Sequence, residues 1–200
     1  MSFGFSNKPG KTYPAISDAI EKVRRERKGS VLLLASAGNS WGKGRCFPAS
    51  HPDVIPIYAG NSKGKFLDST PTQTGKGSKK LGTYGSDIPA DITGEVTAHF
   101  PKADLGAGTS IATAIASGIV AMTLSYIAAL PSLLKITGFD QLFASLYTKR
   151  GMEQMLYSMS LQTDYRQQFI NPVWFWGQKQ KDRDFFVSIC LANGRMNEEE

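Results

Sequence analysis

The sequence predicts an α/β fold with a mostly parallel sheet. Three observations predict it. First, a short apolar stretch at Ser2–Phe5, a helix pattern from about Tyr13 to Lys28 and an apolar run at Val31–Leu34 follow one another. Strand, helix and strand in that space make a βαβ unit, whose strands run parallel. Second, Val54–Gly60 reads as another strand. Third, Leu105–Leu134 contains no charged residue, the pattern of a helix buried all round by a sheet.

Each element has a local reason. Asn7-Lys8-Pro9-Gly10-Lys11 is a turn. Ile16, Ile20 and Val23 recur at helical spacing and give one apolar face. Basic residues close that helix, where they suit its dipole, and Gly29 can end it. Val31–Leu34 has no polar residue, as expected of a strand covered on both faces. Ligands bind beyond the carboxyl ends of such strands, and Asn39 falls there. Pro56 removes a ladder donor, so its strand is expected at an edge or with an irregularity.

Residues 61–80 are rich in Gly, Ser, Thr and Lys and read as a long, flexible, exposed loop. Leu81–Tyr84 returns to the sheet, and Asp87–Ala103 is irregular connection. Pro131 marks a break in the long helix. Two shorter helices follow at Phe139–Tyr147 and Gly151–Met159, with Met152, Met155 and Met159 spaced for packing. Trp174-Phe175-Trp176 reads as a hydrophobic plug. The division expected is a main body over 1–159 and a C-terminal extension over 160–200.

Composition narrows the class. With 200 residues, 41% of them hydrophobic and 20% charged, the chain suits one globular domain. The net charge is +6, yet no aromatic platform accompanies the basic clusters at 24–28 and 63–80, so no nucleic-acid partner is expected. Cys46 and Cys190 are too few for a disulfide framework, although one bridge stays open. The first residues lack the charged region and apolar core of a secretory signal. The uncharged run is long enough to span a membrane, but Thr113, Ser117, Gly118, Thr123 and Ser125 interrupt it, and a core helix is expected instead. No membrane partner follows, and the compartment is left open.

The chemistry centres on Gly108-Thr109-Ser110-Ile111-Ala112-Thr113. Ser110 stands where the long helix begins, and the first backbone N–H groups there lack intrahelical partners. Such a serine is either a helix cap or a nucleophile whose oxyanion forms beside waiting donors. A second stretch, Ala37-Gly38-Asn39, closes an apolar strand, and Phe47-Pro48-Ala49 precedes the next one.

These segments, with Met1-Ser2-Phe3-Gly4, occur together and in order over roughly residues 1–130. On them the chain resembles the subtilisin-like serine proteases, or subtilases: Gly-Thr-Ser-x-Ala-Thr is that family's nucleophile motif and Ala-Gly-Asn its oxyanion segment. The resemblance implies a three-layer fold, incomplete at its N-terminal side, and serine-type endopeptidase activity. It makes Ser110 the nucleophile and Asn39 the oxyanion donor. A polypeptide substrate would lie between Ser2, Phe3 and Gly4 on one side and Ser36, Ala37 and Gly38 on the other, with Thr109 beside it.

The resemblance also exposes a gap. The family's aspartate and histidine precede the oxyanion asparagine, yet the first 38 residues contain no histidine. His51 and His99 come later and read as structural or solvent-facing, and Asp18 lies on the first helix. Ala114 stands where the family usually has proline. The chain therefore resembles the C-terminal half of a catalytic domain, and the missing N-terminal half is the protein partner this implies. Little activity is expected of the chain alone, and a non-catalytic fragment acting as a binding module is the alternative. No cofactor is expected, and no acidic cluster suggests calcium.

Overall fold

The computed structural model describes residues 1–5, 12–27, 30–40, 44–71, 79–88, 94, 98–99, 106–134, 139–164, 166–184 and 187. The expected turn at 7–11, Cys190 and most of the 87–103 connection lie outside them. Ten elements follow in order: α1 (Thr12–Glu26), β1 (Leu34–Ser36), β2 (Ile55–Gly60), β3 (Lys80–Tyr84), α2 (Thr109–Leu134), α3 (Phe139–Ser145), α4 (Lys149–Ser158), β4 (Ser160–Asp164), β5 (Gln167–Ile170) and α5 (Pro172–Trp176).

The strands form one sheet in the order β1-β2-β3-β5-β4. All neighbours are parallel except β4 and β5, which form an antiparallel pair. Alternation along β2 explains the layers. Ile55, Ile57 and Ala59 point to α2, and they share a core with Leu34, Leu81, Ile119, Val120 and Ile127. On the other face Ile20 of α1 packs with Ala35, Phe47 and Val54, while Tyr58 meets Phe66 and Phe169. Each such fully buried large apolar side chain contributes about 1.5–3 kcal/mol relative to exposure.

Several expectations need correction. The first apolar run pairs later than its composition suggested: β1 is Leu34–Ser36, and Val31–Leu33 are half-buried. Pro56 sits in an interior strand, not at an edge. Ile55 N–H donates to Leu33 O, so Ile55 faces β1 and Pro56 faces β3. The β2–β3 pairing starts only at Ile57 with Leu81, so the absent donor costs no ladder bond.

Residues 61–71 are not a free loop. Asn61 Oδ1 accepts from the N–H groups of Lys63 and Lys65 at 3.0 Å each, a turn closed by side chain. Phe66, Thr70 and Pro71 are buried against the sheet. Pro131 does not break α2, which runs on to Leu134. A proline in the last turn forfeits one bond near the end, where the helix is already fraying.

α2 is buried on one side only, not all round. Ala112, Ala116, Ile119, Thr123 and Ile127 are buried, whereas Ala114, Gly118, Ala121, Met122 and Ser125 are exposed. Its buried hydroxyls bond back to the helix: Thr113 Oγ1 donates to Thr109 O at 2.7 Å, and Thr123 Oγ1 to Ile119 O at 2.8 Å. Among the described residues, Thr109–Pro131 is the one helix long and apolar enough to cross a membrane; here it lies along β1, β2 and β3.

The C-terminal residues join the same body. β5 pairs in parallel with β3, so residues 160–170, expected in an extension, complete the sheet. Met152, Met155 and Met159 are fully buried as packing residues. Thr148 caps α4 by accepting from Gly151 N–H at 3.0 Å. Within the aromatic run, Phe175 is buried against Tyr126 and Trp176, while Trp174 stays exposed.

Candidate active site

The carboxyl ends of β1 and β2 and the start of α2 converge. Gly85, just after β3, anchors this junction: its N–H donates to Gly60 O at 2.8 Å, and its carbonyl accepts from Gly108 N–H at 2.7 Å. Gly108 carbonyl accepts from Ala112 N–H at 3.3 Å, so α2 begins at Thr109.

Thr109 is the hub. Its side chain is fully buried. Its hydroxyl donates to Asn39 Oδ1 at 3.0 Å, shares a hydrogen bond with Ser36 Oγ at 2.6 Å, and accepts from Gly38 N–H at 3.2 Å. Its backbone N–H also donates to Asn39 Oδ1, at 2.9 Å. Two donors on one acceptor fix the asparagine amide plane. The amide nitrogen is turned outward, toward Gly108: a Cβ built there would sit 2.6 Å from Asn39 Nδ2. Only glycine tolerates that approach.

Ser110 follows in the first turn of α2, half-buried. Its N–H is among the four that a helix start leaves without intrahelical partners. Its hydroxyl donates to the carbonyl of Ser2 at 2.8 Å. The structure therefore brings Ser2, Asn39, Thr109 and Ser110 together. The two hydroxyl-bearing residues of α2 here face opposite ways, Thr109 inward and Ser110 toward the surface.

The expected walls differ in what they offer. Ser2, Phe3 and Gly4 are exposed, and beyond them Phe5 forms an antiparallel bridge with Phe47 through bonds of 2.7 and 3.1 Å. On the other wall Ser36 and Ala37 are buried. Their N–H groups are already used, by Met1 O and Ile57 O, and Gly38 N–H by Thr109. The Ala37 carbonyl is used as well, by Cys46 N–H at 2.9 Å, so that wall offers no free donor at these three N–H groups.

Sequence reasoning missed Cys46. Its sulfur lies between the two walls: a Cβ on Gly38 would meet Sγ at 2.5 Å, and one on Gly4 would meet it at 3.7 Å. Gly38 also holds φ +107, a region glycine enters freely. Cys46 is a free thiol. It lay in no motif, so only the glycines at 4 and 38 hinted that something approached the backbone.

Neither histidine joins the constellation. His51 is 9% exposed, and its Nδ1 accepts from Asp53 N–H at 3.2 Å. His99 is exposed. Ser110 hydrogen-bonds to neither. Among the described residues no group of three His, Cys, Asp or Glu side chains could hold a metal ion.

Comparison with known proteins follows this geometry. Among curated proteins no sequence matches. Solved structures do. The protease domain of PatA carrying S218A aligns with a TM-score of 0.54 at 21% identity, over 96% of this chain and 57% of that one. The prenylagaramide maturation protease PagA gives 0.54 at 22%, over 82% and 51%. The patellamide maturation protease PatA gives 0.54 at 23%, over 82% and 53%. At these identities the likeness is one of fold, and the chain spans about half the length of each relative. A sequence model of the subtilase family, peptidase S8, matches residues 1–137. With the match running over more than half of its length, the chain belongs to the subtilase family.

Proposed function

We propose that this chain carries the nucleophile and the oxyanion donor of a serine-type endopeptidase, and that it lacks the base. Ser110 Oγ attacks the scissile carbonyl of a polypeptide. Asn39 Nδ2 and the Ser110 N–H stabilise the oxyanion, acting on charge that develops only in the transition state. Thr109 does not touch substrate; it positions Asn39. Substrate backbone adds as a strand along Ser2–Gly4, which reads main chain more than side chain. The observation that carries the reading is the pair of bonds from Thr109 to Asn39 Oδ1, because they leave Nδ2 as the free donor beside Ser110.

Ser110 needs a partner to take its proton. Its hydroxyl instead donates to Ser2 O, the carbonyl a substrate amide would use. In subtilisin, loss of the histidine alone lowers turnover by about 10⁶-fold, a value borrowed from that enzyme. The purified chain is therefore expected to cleave a fluorogenic peptide negligibly and to leave Ser110 unlabelled by a fluorophosphonate probe. Robust labelling of Ser110 would overturn the missing-base reading.

A second reading has its own support, the engagement of Ser110 by Ser2. On that reading the chain is a binding module that holds peptide without cutting it. Peptide binding that survives Ser110→Ala, with no labelling under any condition, would favour it.

A further inference from the structure

On the face of the sheet away from α2, a pocket of about 440 Å³ opens between the turn after β2 and the strands β4 and β5. Its walls are fixed. Asn61 closes the turn with two side-chain bonds, and Ser62 ties it to Asp87. The tip of the turn lies against the two strands: a Cβ on Gly64 would meet Thr163 Cγ2 at 3.1 Å and the Phe169 ring at 3.6 Å. Lys80 enters from β3, where its N–H donates to Arg166 O at 2.7 Å. Its ammonium stands 5.5 Å from the centre of the buried Tyr58 ring. Thr163 of β4 and Gln167 of β5 line the rim.

The pocket is lined by three lysines and two aspartates, and the charges are matched except at one lysine. Lys65 lies 4.0 Å from Asp68. Lys63 acts on Asp87, whose carboxyl it helps to hold down. Asp164 is engaged as well. Lys80 has no carboxylate partner among the described residues. It is half-buried, and burial pulls its pKa below the ordinary value of 10.5. A cation withdrawn from water without a counter-charge is destabilising, and an aromatic face offsets only part of that. We infer that this pocket binds one carboxylate group, with Lys80 as its counter-ion and the Thr163 hydroxyl and Gln167 amide as neutral donors at the rim. A phosphate dianion fits less well, because the two aspartates in the lining repel a second negative charge. The carboxylate comes from a small acid or from an acidic side chain of a bound polypeptide, and the recognising chemistry is the same for both. Nothing in this site depends on the protease reading.

The test titrates the full chain with sodium butyrate and with the blocked peptide acetyl-Ala-Glu-Ala-amide. NMR shifts of the Gly64, Thr163 and Gln167 amides are followed, with sodium chloride at equal ionic strength as the control. Saturable shifts at these amides are expected. Lys80→Gln is expected to weaken binding about tenfold or more, and Lys80→Arg less than about threefold. Lys22→Gln on α1 is expected to leave binding unchanged. Should Lys80→Gln fail to fold, Thr163→Glu, at an exposed rim position, sets a fixed carboxylate against the pocket and is expected to weaken binding about fivefold or more. Tighter binding of the peptide than of butyrate upholds the site and assigns it to a polypeptide side chain; tighter binding of butyrate upholds it and assigns a small acid. The absence of saturable shifts, shifts that sodium chloride reproduces, or binding indifferent to both Lys80→Gln and Thr163→Glu overturns the proposal. So does inorganic phosphate binding more tightly than either probe.

Discussion

Thr109 shows how one buried hydroxyl organises a surface site. It serves Ser36, Gly38 and Asn39 at once, so replacing it by an isostere without the oxygen strands several buried polar groups. Unsatisfied groups of this kind cost about 1–3 kcal/mol each. Thr109→Val is expected to lower stability by about 2–6 kcal/mol in urea titrations, one such loss each for Ser36 Oγ and Gly38 N–H. The Asn39 side-chain amide should show a shifted and broadened NMR signal, because its plane loses a donor. Ser110→Ala, by contrast, removes a half-buried hydroxyl with one backbone acceptor, and is expected to change stability by less than about 1 kcal/mol. That Ser110 stands at a helix start and Asn39 beyond a strand end was legible in the sequence, because local pattern places both. The inward role of Thr109 and the sulfur of Cys46 between the cleft walls were not, since neither follows from spacing along the chain.

At the scale of elements, α2 divides into a face that the sheet needs and a face that it does not. Ile127 is fully buried, and Ile127→Ala is expected to cost about 2–5 kcal/mol. Met122→Lys, on the exposed side, is expected to stay within about 0.5 kcal/mol of the parent. Equal losses for the two would contradict the one-sided packing. The segment after β2 hangs on a different bond. Asp87 Oδ2 accepts from Ser62 N–H and Ser62 Oγ at 3.0 Å each. These bonds, the backbone one first, hold its carboxyl below the ordinary value of 3.8. A depressed carboxyl stabilises above its unfolded value and loses that contribution as pH falls through the folded one. Protection of the Ser62 amide, its exchange rate relative to an unstructured amide at the same pH, is therefore expected to fall as pH drops below 3.8, and in Asp87→Asn that fall should be absent. The helix pattern of α2 was readable from its uncharged run, but charge patterning could not say which side met the sheet, because neither face carries a charged residue.

For the whole molecule, the described residues from Met152 to Phe175 contribute to the core. Met152, Met155, Leu156, Ile170 and Phe175 share one buried cluster with Leu34, Ile55 and Ile57. β5 also covers the edge of β3, whose backbone would otherwise lie open. A chain ending at Leu134 is therefore expected to show no cooperative thermal transition by circular dichroism, whereas the full chain shows one. Two separate transitions in the full chain, one for residues 160–200, would restore the division read from composition. β4 and β5 were not legible in the sequence because they are short and partly polar, and a strand whose partner lies 87 positions away (Lys80 with Gln167) leaves little trace in its own residues.

What the sequence by itself determined was local: a Gly-Thr-Ser motif at a helix start, an Ala-Gly-Asn segment at a strand end, the parallel α/β class, and the want of a histidine ahead of Asn39. Those follow from residue type and short-range spacing, which the chain carries wherever it folds. What only the tertiary structure decided was which groups are spent and which are free. Thr109 turned inward, Ser110 bonded to Ser2, Asn39 left its amide nitrogen unused, and one side of α2 stayed uncovered. Each is settled by burial and by hydrogen-bond competition between residues far apart in the chain, where packing outweighs local preference.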